Sequence, residues 1–195
     1  MTNTESTTDT DTAAAYAALS SGTTTGERAD LLESLRTARF FLRHTVGGLT
    51  DEQARLTPTA SELSLGGLIK HVASIEAGWA DFVERGTEAM PAVEGEIDPD
   101  SELARRWANE FRMLPEETLA DVLAEYERVA ARTDALVESL PDLGVSHPLP
   151  PAPWFAPGAT RSARRVFVHI VAETAQHSGH ADIIRETIDG QKTMG

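Results

Sequence analysis

The chain has no cysteine among its 195 residues, so disulfides, thiolate zinc knots and a cysteine nucleophile are all excluded. Thiol chemistry, if there is any, needs a thiol from outside, and the strong metal ligands left are His and carboxylates. Basic residues are also scarce. There are 17 Lys and Arg against 31 Asp and Glu, a formal net charge of -14, and such a field repels phosphate backbones and anionic lipid. Nucleic acid is therefore not an expected partner. Long apolar runs are missing too: no window approaches the roughly 20 residues of a membrane span. The N-terminus lacks the positive start and apolar stretch of a signal peptide and the arginines of a transit peptide, its first basic residue being Arg28, so the expected compartment is the cytoplasm.

What is present is helical periodicity in a chain long enough for one core. Residues 1–26, rich in Thr and Ser and carrying Glu5, Asp9 and Asp11, read as a disordered tail, with Ala13 to Leu19 able to form one or two helical turns. A first helix is expected from Glu27 to about Val46, on Leu31, Leu32, Leu35, Phe40, Phe41 and Leu42, ended by Gly47-Gly48. Thr50 caps a short turn at 51–53. A second helix starts near Ser64, carries Leu65, Leu68, Ile69, Val72, Ile75, Trp79 and Phe82, and stops at Gly86. Residues 87–115, with three prolines and a helical fragment around Leu103 to Phe111, form a long crossover. A third helix runs from Pro115 or Glu116 to Leu140, and a fourth from about Ser162 to Ile188, stopped by Asp189-Gly190. Between them, 148–157 holds five prolines with Trp154 and Phe155, unsuited to helix or central strand. No segment shows sustained strand alternation. The expected fold class is all-α, a four-helix bundle over 27–190 with a long connection between helices two and three, and a C-terminal tail at 191–195.

The fourth helix places His169, Glu173, His177 and His180 on one row, because residues three or four apart share a helical face. Glu173 and His177 can hold one ion from a single helix. A third ligand must come from elsewhere, and His71, mid-helix among Leu68, Ile69 and Val72, is the candidate. Two imidazoles and a carboxylate with an open fourth position match catalytic zinc sites, although nickel and iron accept the same donors. Each residue alone also fits a plainer role: His71 as a hydrogen-bonded core residue, Glu173 and His177 as a solvated helical ion pair. His44 and His147 read as surface residues. Trp154 could cover a metal or simply pack. Arg161, Arg164 and Arg165 form a basic cluster that either receives a carboxylate or pairs with acidic neighbours, the second being favoured.

These residues resemble a known family. Leu-Thr-Asp-Glu-Gln-Ala at 49–54, the Ser64-Leu65 helix start leading to His71 with Glu76 and Trp79, and Glu173-Thr-Ala-Gln-His177-Ser-Gly-His180-Ala-Asp182 are similar to the DinB-like superfamily, specifically its mycothiol-dependent branch. The resemblance covers Glu27 to Gly190. It implies a DinB-type bundle, metal ligation by His71, Glu173 and His177, and mycothiol as thiol cosubstrate. The implied activity is S-transfer to an electrophilic small molecule through a zinc-activated thiolate. His180 is the candidate catalytic acid or base, and Arg165 a clamp for a bound carboxylate or cofactor. Maleylpyruvate isomerase, in the same branch, carries an added C-terminal domain, so that activity is less expected of a chain ending soon after Gly190. The alternatives are a non-catalytic metal-binding stress or ligand-binding protein and a metal-free helical dimer; a homodimer is compatible with all readings.

Overall fold

The computed structural model describes residues 13–20, 23–90, 92, 93, 95 and 97–193. Four long helices carry the architecture: α1 (Glu27–His44), α3 (Leu65–Arg85), α5 (Leu119–Ser139) and α6 (Ala163–Asp189), with α2 (Asp51–Arg55) and α4 (Glu102–Glu110) in the connections. Side chains cap most of them. The hydroxyls of Thr50, Ser64, Ser101, Thr118 and Ser162 each accept an N–H from the first turn, and at α2 the Gln53 side chain returns the bond to the Thr50 N–H. Gly190, in the left-handed conformation at φ +79°, ends α6.

Two local differences from the sequence expectation have physical causes. The third helix begins at Leu119 instead of Pro115 or Glu116, because Glu117 is used as a loop anchor. Its carboxylate accepts the Leu114 N–H at 2.7 Å and pairs with Lys70 at 2.6 Å, leaving Thr118 to cap. A two-stranded antiparallel ribbon, β1 (Ser146–Pro148) with β2 (Thr160–Ser162), closes the proline-rich loop. Three-residue strands are too short to leave an alternation pattern. Of the expected tail, residues 1–12, 21 and 22 lie outside the described residues; 13–17 form a helical turn within the segment read as able to do so, and Tyr16 packs on Phe40 and Phe41 at ring distances of 5.8 and 5.7 Å.

Helix α6 packs on α1 and α3, while α5 packs on α3 and more sparsely on α1. Consequently α1 and α3 face each other across the diagonal. The apolar core is divided in two. Leu35, Trp79, Leu136 and Ile170 belong to one cluster, and Leu42, Val72, Tyr126 and Ala181 to the other. On every long helix a buried polar residue lies between the two sets: Arg39 on α1, Glu76 on α3, Thr133 on α5 and Thr174 on α6. Among the described residues no helix is long and apolar enough to cross a membrane.

Candidate metal centre

Helix α3 opens with Leu65-Gly66-Gly67, and both glycines are in close contact with neighbouring backbone or side chain. A Cβ on Gly67 would stand 1.9 Å from the Phe111 carbonyl oxygen. One on Gly66 would meet Met113 Sδ at 2.7 Å and the Ala54 carbonyl at 3.3 Å. Their bare surface thus lets the loop after α4 lie directly on the helix. That approach sets Phe111 over the imidazole of His71, one turn further along, with ring centroids 3.8 Å apart and planes 20° from parallel. His71 is buried and its Nδ1 has no hydrogen-bond partner among the described residues. Stacking on Phe111, together with Glu173 beside its other nitrogen, orients this ring.

Opposite lies α6, antiparallel to α3, since His71 meets His177 while Trp79, further along α3, meets the earlier His169. His71 Nε2 is 3.5 Å and His177 Nε2 3.2 Å from the same Glu173 Oε1. One donor atom from each of the three residues lies within 4.8 Å of the others. Donors about 2.1 Å from a shared ion span at most about 4.2 Å. Half-buried Glu173 already lies inside that span from both imidazole nitrogens, and only a small approach of the donors closes the set on one ion. Burial, reinforced by His177, pushes the His71 pKa down against the pull of Glu173. Burial likewise lowers His177, with Glu173 opposing and His180 adding to the fall. Neutral imidazoles are the form that ligates. The three residues could therefore hold a divalent cation.

A family model described as Mycothiol-S-transferase matches residues 30–190. The chain belongs to the mycothiol S-transferase family. That places it in the mycothiol-dependent branch of the DinB-like superfamily, with a thiol as the cosubstrate class. Among solved structures, a conserved protein from Enterococcus faecalis is similar at a TM-score of 0.62 and 14% identity, covering 86% of this chain and 100% of its own. At that identity the likeness shows the all-α fold alone. No curated protein matches the chain.

The remaining site candidates of this family member are spread along α6. His180 presents Nδ1 to His177 Nδ1 at 3.4 Å, on the side of that ring away from Glu173. His169 abuts Trp79 at 5.1 Å, its pKa lowered by burial and Arg161. The basic cluster divides. Arg164 pairs with Glu27 as expected, whereas Arg161 stacks on Trp79 and exposed Arg165 has no acidic partner among the described residues. Trp154 is 56% exposed and touches Trp107 and Phe155; the ring over His71 is that of Phe111. His147 corrects the surface reading: it is half-buried against Phe82, its Nε2 3.2 Å from the Val83 carbonyl.

Sequence reasoning missed Phe111, for which the paired glycines at the start of α3 were the available signal. It also missed the ion pairs behind the site. Arg39 meets Glu76 through two hydrogen bonds, at 2.5 and 3.2 Å, and Asp134 at 2.7 Å. Burial disfavours the Arg39 charge, but Glu76 and Asp134 outweigh it and raise its pKa.

Proposed function

We propose that this chain holds one divalent ion, zinc by preference, through His71, Glu173 and His177, and uses it to join mycothiol, through its sulfur, to an electrophilic small molecule in the cytoplasm. The observation that carries the reading is the convergence of two imidazoles and one carboxylate within 4.8 Å in a mycothiol S-transferase family chain that has no thiol of its own. A bound divalent ion supplies Lewis acidity, which makes a thiol a nucleophile at neutral pH.

The protein's own groups do the rest. His71 and His177 offer neutral nitrogens because burial disfavours their charged forms. Glu173 is committed as a ligand and is not the base. His180 acts through His177: its ring, meeting the ligand's second nitrogen, fixes tautomer and orientation. The catalytic part assigned to His180 is thus one of positioning. Phe111 keeps water from one face of His71. In the transfer the thiol proton departs to solvent and a sulfur–carbon bond forms. The displaced electron pair leaves with the leaving group or, in an addition, takes up a proton on the product.

Purified protein is expected to carry about one equivalent of zinc. Its cobalt-substituted form should develop a thiolate-to-metal charge-transfer absorption when mycothiol is added. If cobalt is bound and saturating mycothiol produces no such absorption, the reading fails.

A further inference from the structure

In a chain this acidic, cations are expected to find partners, and nearly all do. The exceptions among the described residues are Arg105, Arg161 and Arg165, which meet neither a carboxylate nor a carbonyl. Arg105 is exposed on α4. The other two stand together where β2 passes into α6, four residues apart. Arg161 is half-buried, its guanidinium 4.5 Å from the centre of the Trp79 ring and 5.5 Å from that of Phe155. Burial and the like charge of Arg165 both depress its pKa, and no acidic group opposes them. Two adjacent positive charges, one partly removed from water and neither neutralised, are costly in a protein with 31 carboxylates to spend.

The pair belongs to the seam that holds the metal candidates. Trp79 joins Arg161 to His169, and Arg165, His169, Glu173 and His177 succeed one another at four-residue steps along one face of α6. Eight residues of helix separate Arg165 from Glu173, about 12 Å. A molecule of modest size can therefore reach both ends.

We propose that Arg161 and Arg165 form an anion subsite that takes a carboxylate of the electrophilic substrate. Placing the carboxylate on the electrophile rests on the transferase reading; the anion subsite itself does not. A guanidinium already stacked on an aromatic ring is pre-organised to offer its N–H edge to a carboxylate in a bidentate pair.

The test uses zinc-loaded full-length protein titrated with benzoate and with neutral benzamide, followed by tryptophan fluorescence. Benzoate is expected to bind and benzamide to bind at least about tenfold more weakly, as loss of a charge-assisted pair implies. Arg165→Gln, a surface change that leaves the fold intact, and Arg161→Gln should each weaken benzoate about tenfold, while Arg161→Lys weakens it less. His71→Ala, which removes a metal donor, should leave benzoate binding within about twofold, since the carboxylate is not on the metal. Equal binding of benzoate and benzamide, or indifference to both arginine changes, overturns the subsite. So does loss of benzoate binding in His71→Ala alone. Transfer assays then locate the anion. Arg165→Gln should raise KM for a carboxylate-bearing aryl electrophile and not for its methyl ester. A rise in the thiol KM instead places the anion on the thiol and overturns the assignment to the electrophile. If benzoate binds as expected and no transfer occurs with any electrophile, the transferase reading fails and the anion subsite stands.

Discussion

At the residue scale, the candidate centre depends on side chains whose charge is set by burial. His71 and His177 both have pKa values depressed below the ordinary 6.5. The sign for stability follows: as pH falls through 6.5, the unfolded chain takes up protons that the folded chain refuses, so the folded state loses ground. Above that pH the contribution is fully present. In metal-free protein the urea midpoint should therefore fall between pH 7.5 and 5.5. His71→Ala and His177→Ala should each flatten the decline, and an unchanged slope in both would show that other groups drive it. With metal available, His71→Ala should reduce bound zinc from about one equivalent to a small fraction, as loss of one of three protein ligands implies. Elemental analysis after gentle purification reads that directly. The three ligand candidates were legible in the sequence because Glu173 and His177 are one helical turn apart and His71 stands among apolar neighbours. The free guanidinium of Arg161 was not, since only the folded chain shows which of three clustered arginines finds a carboxylate.

At the element scale, the long helices were readable from apolar periodicity and hydroxyl caps, and their boundaries fall within a few residues of expectation. What escaped are contacts that have no period. Glu117 looks like the first turn of a helix but anchors the preceding loop on Lys70. The β1/β2 ribbon is three residues long and includes a proline. The seating of Phe111 depends on Gly67, where any side chain meets a backbone carbonyl that cannot swing aside. Gly67→Ala should therefore displace the 111–113 loop. The loss expected from such overpacking is about 1–3 kcal/mol in chemical denaturation. It should also speed metal release to a competing chelator, because the ring that orients His71 moves with the loop. Gly78→Ala is the control: the same helix, with nothing within 4 Å of an added Cβ, so its stability should rise by up to about 1 kcal/mol from helix propensity while metal release stays near wild type. A similar loss at the two positions would show that the 111–113 loop is not its cause.

At the scale of the whole molecule, the telling feature is a polar layer across an otherwise apolar interior. Arg39, Glu76, Thr133 and Thr174 come from all four long helices, and Glu76 is 0% exposed. Burial and the Glu76 carboxylate together raise the pKa of the neighbouring Tyr126 phenol. The pairing is a property of the assembled helices: Arg39 reaches Glu76 across the diagonal and Asp134 on a third helix. A buried ion pair of this kind is weak evidence for stability, because the desolvation of both charges offsets their attraction. Removing one partner is a different matter. Glu76→Leu leaves Arg39 with only the partly exposed Asp134 and should cost about 3–5 kcal/mol. The double change Glu76→Leu with Arg39→Met removes both charges at similar volume and should recover most of that loss. A double-mutant cycle by urea denaturation measures the coupling. Zinc stoichiometry in the double variant then separates two roles for the layer. If stability returns and the metal is retained, the layer only closes the core. If stability returns while metal binding weakens, the pairing fixes the register of α1 and α3. Glu76 stands five residues beyond His71 on α3, so a shift in that register would move His71 relative to the donors on α6 and relax the centre without unfolding the protein.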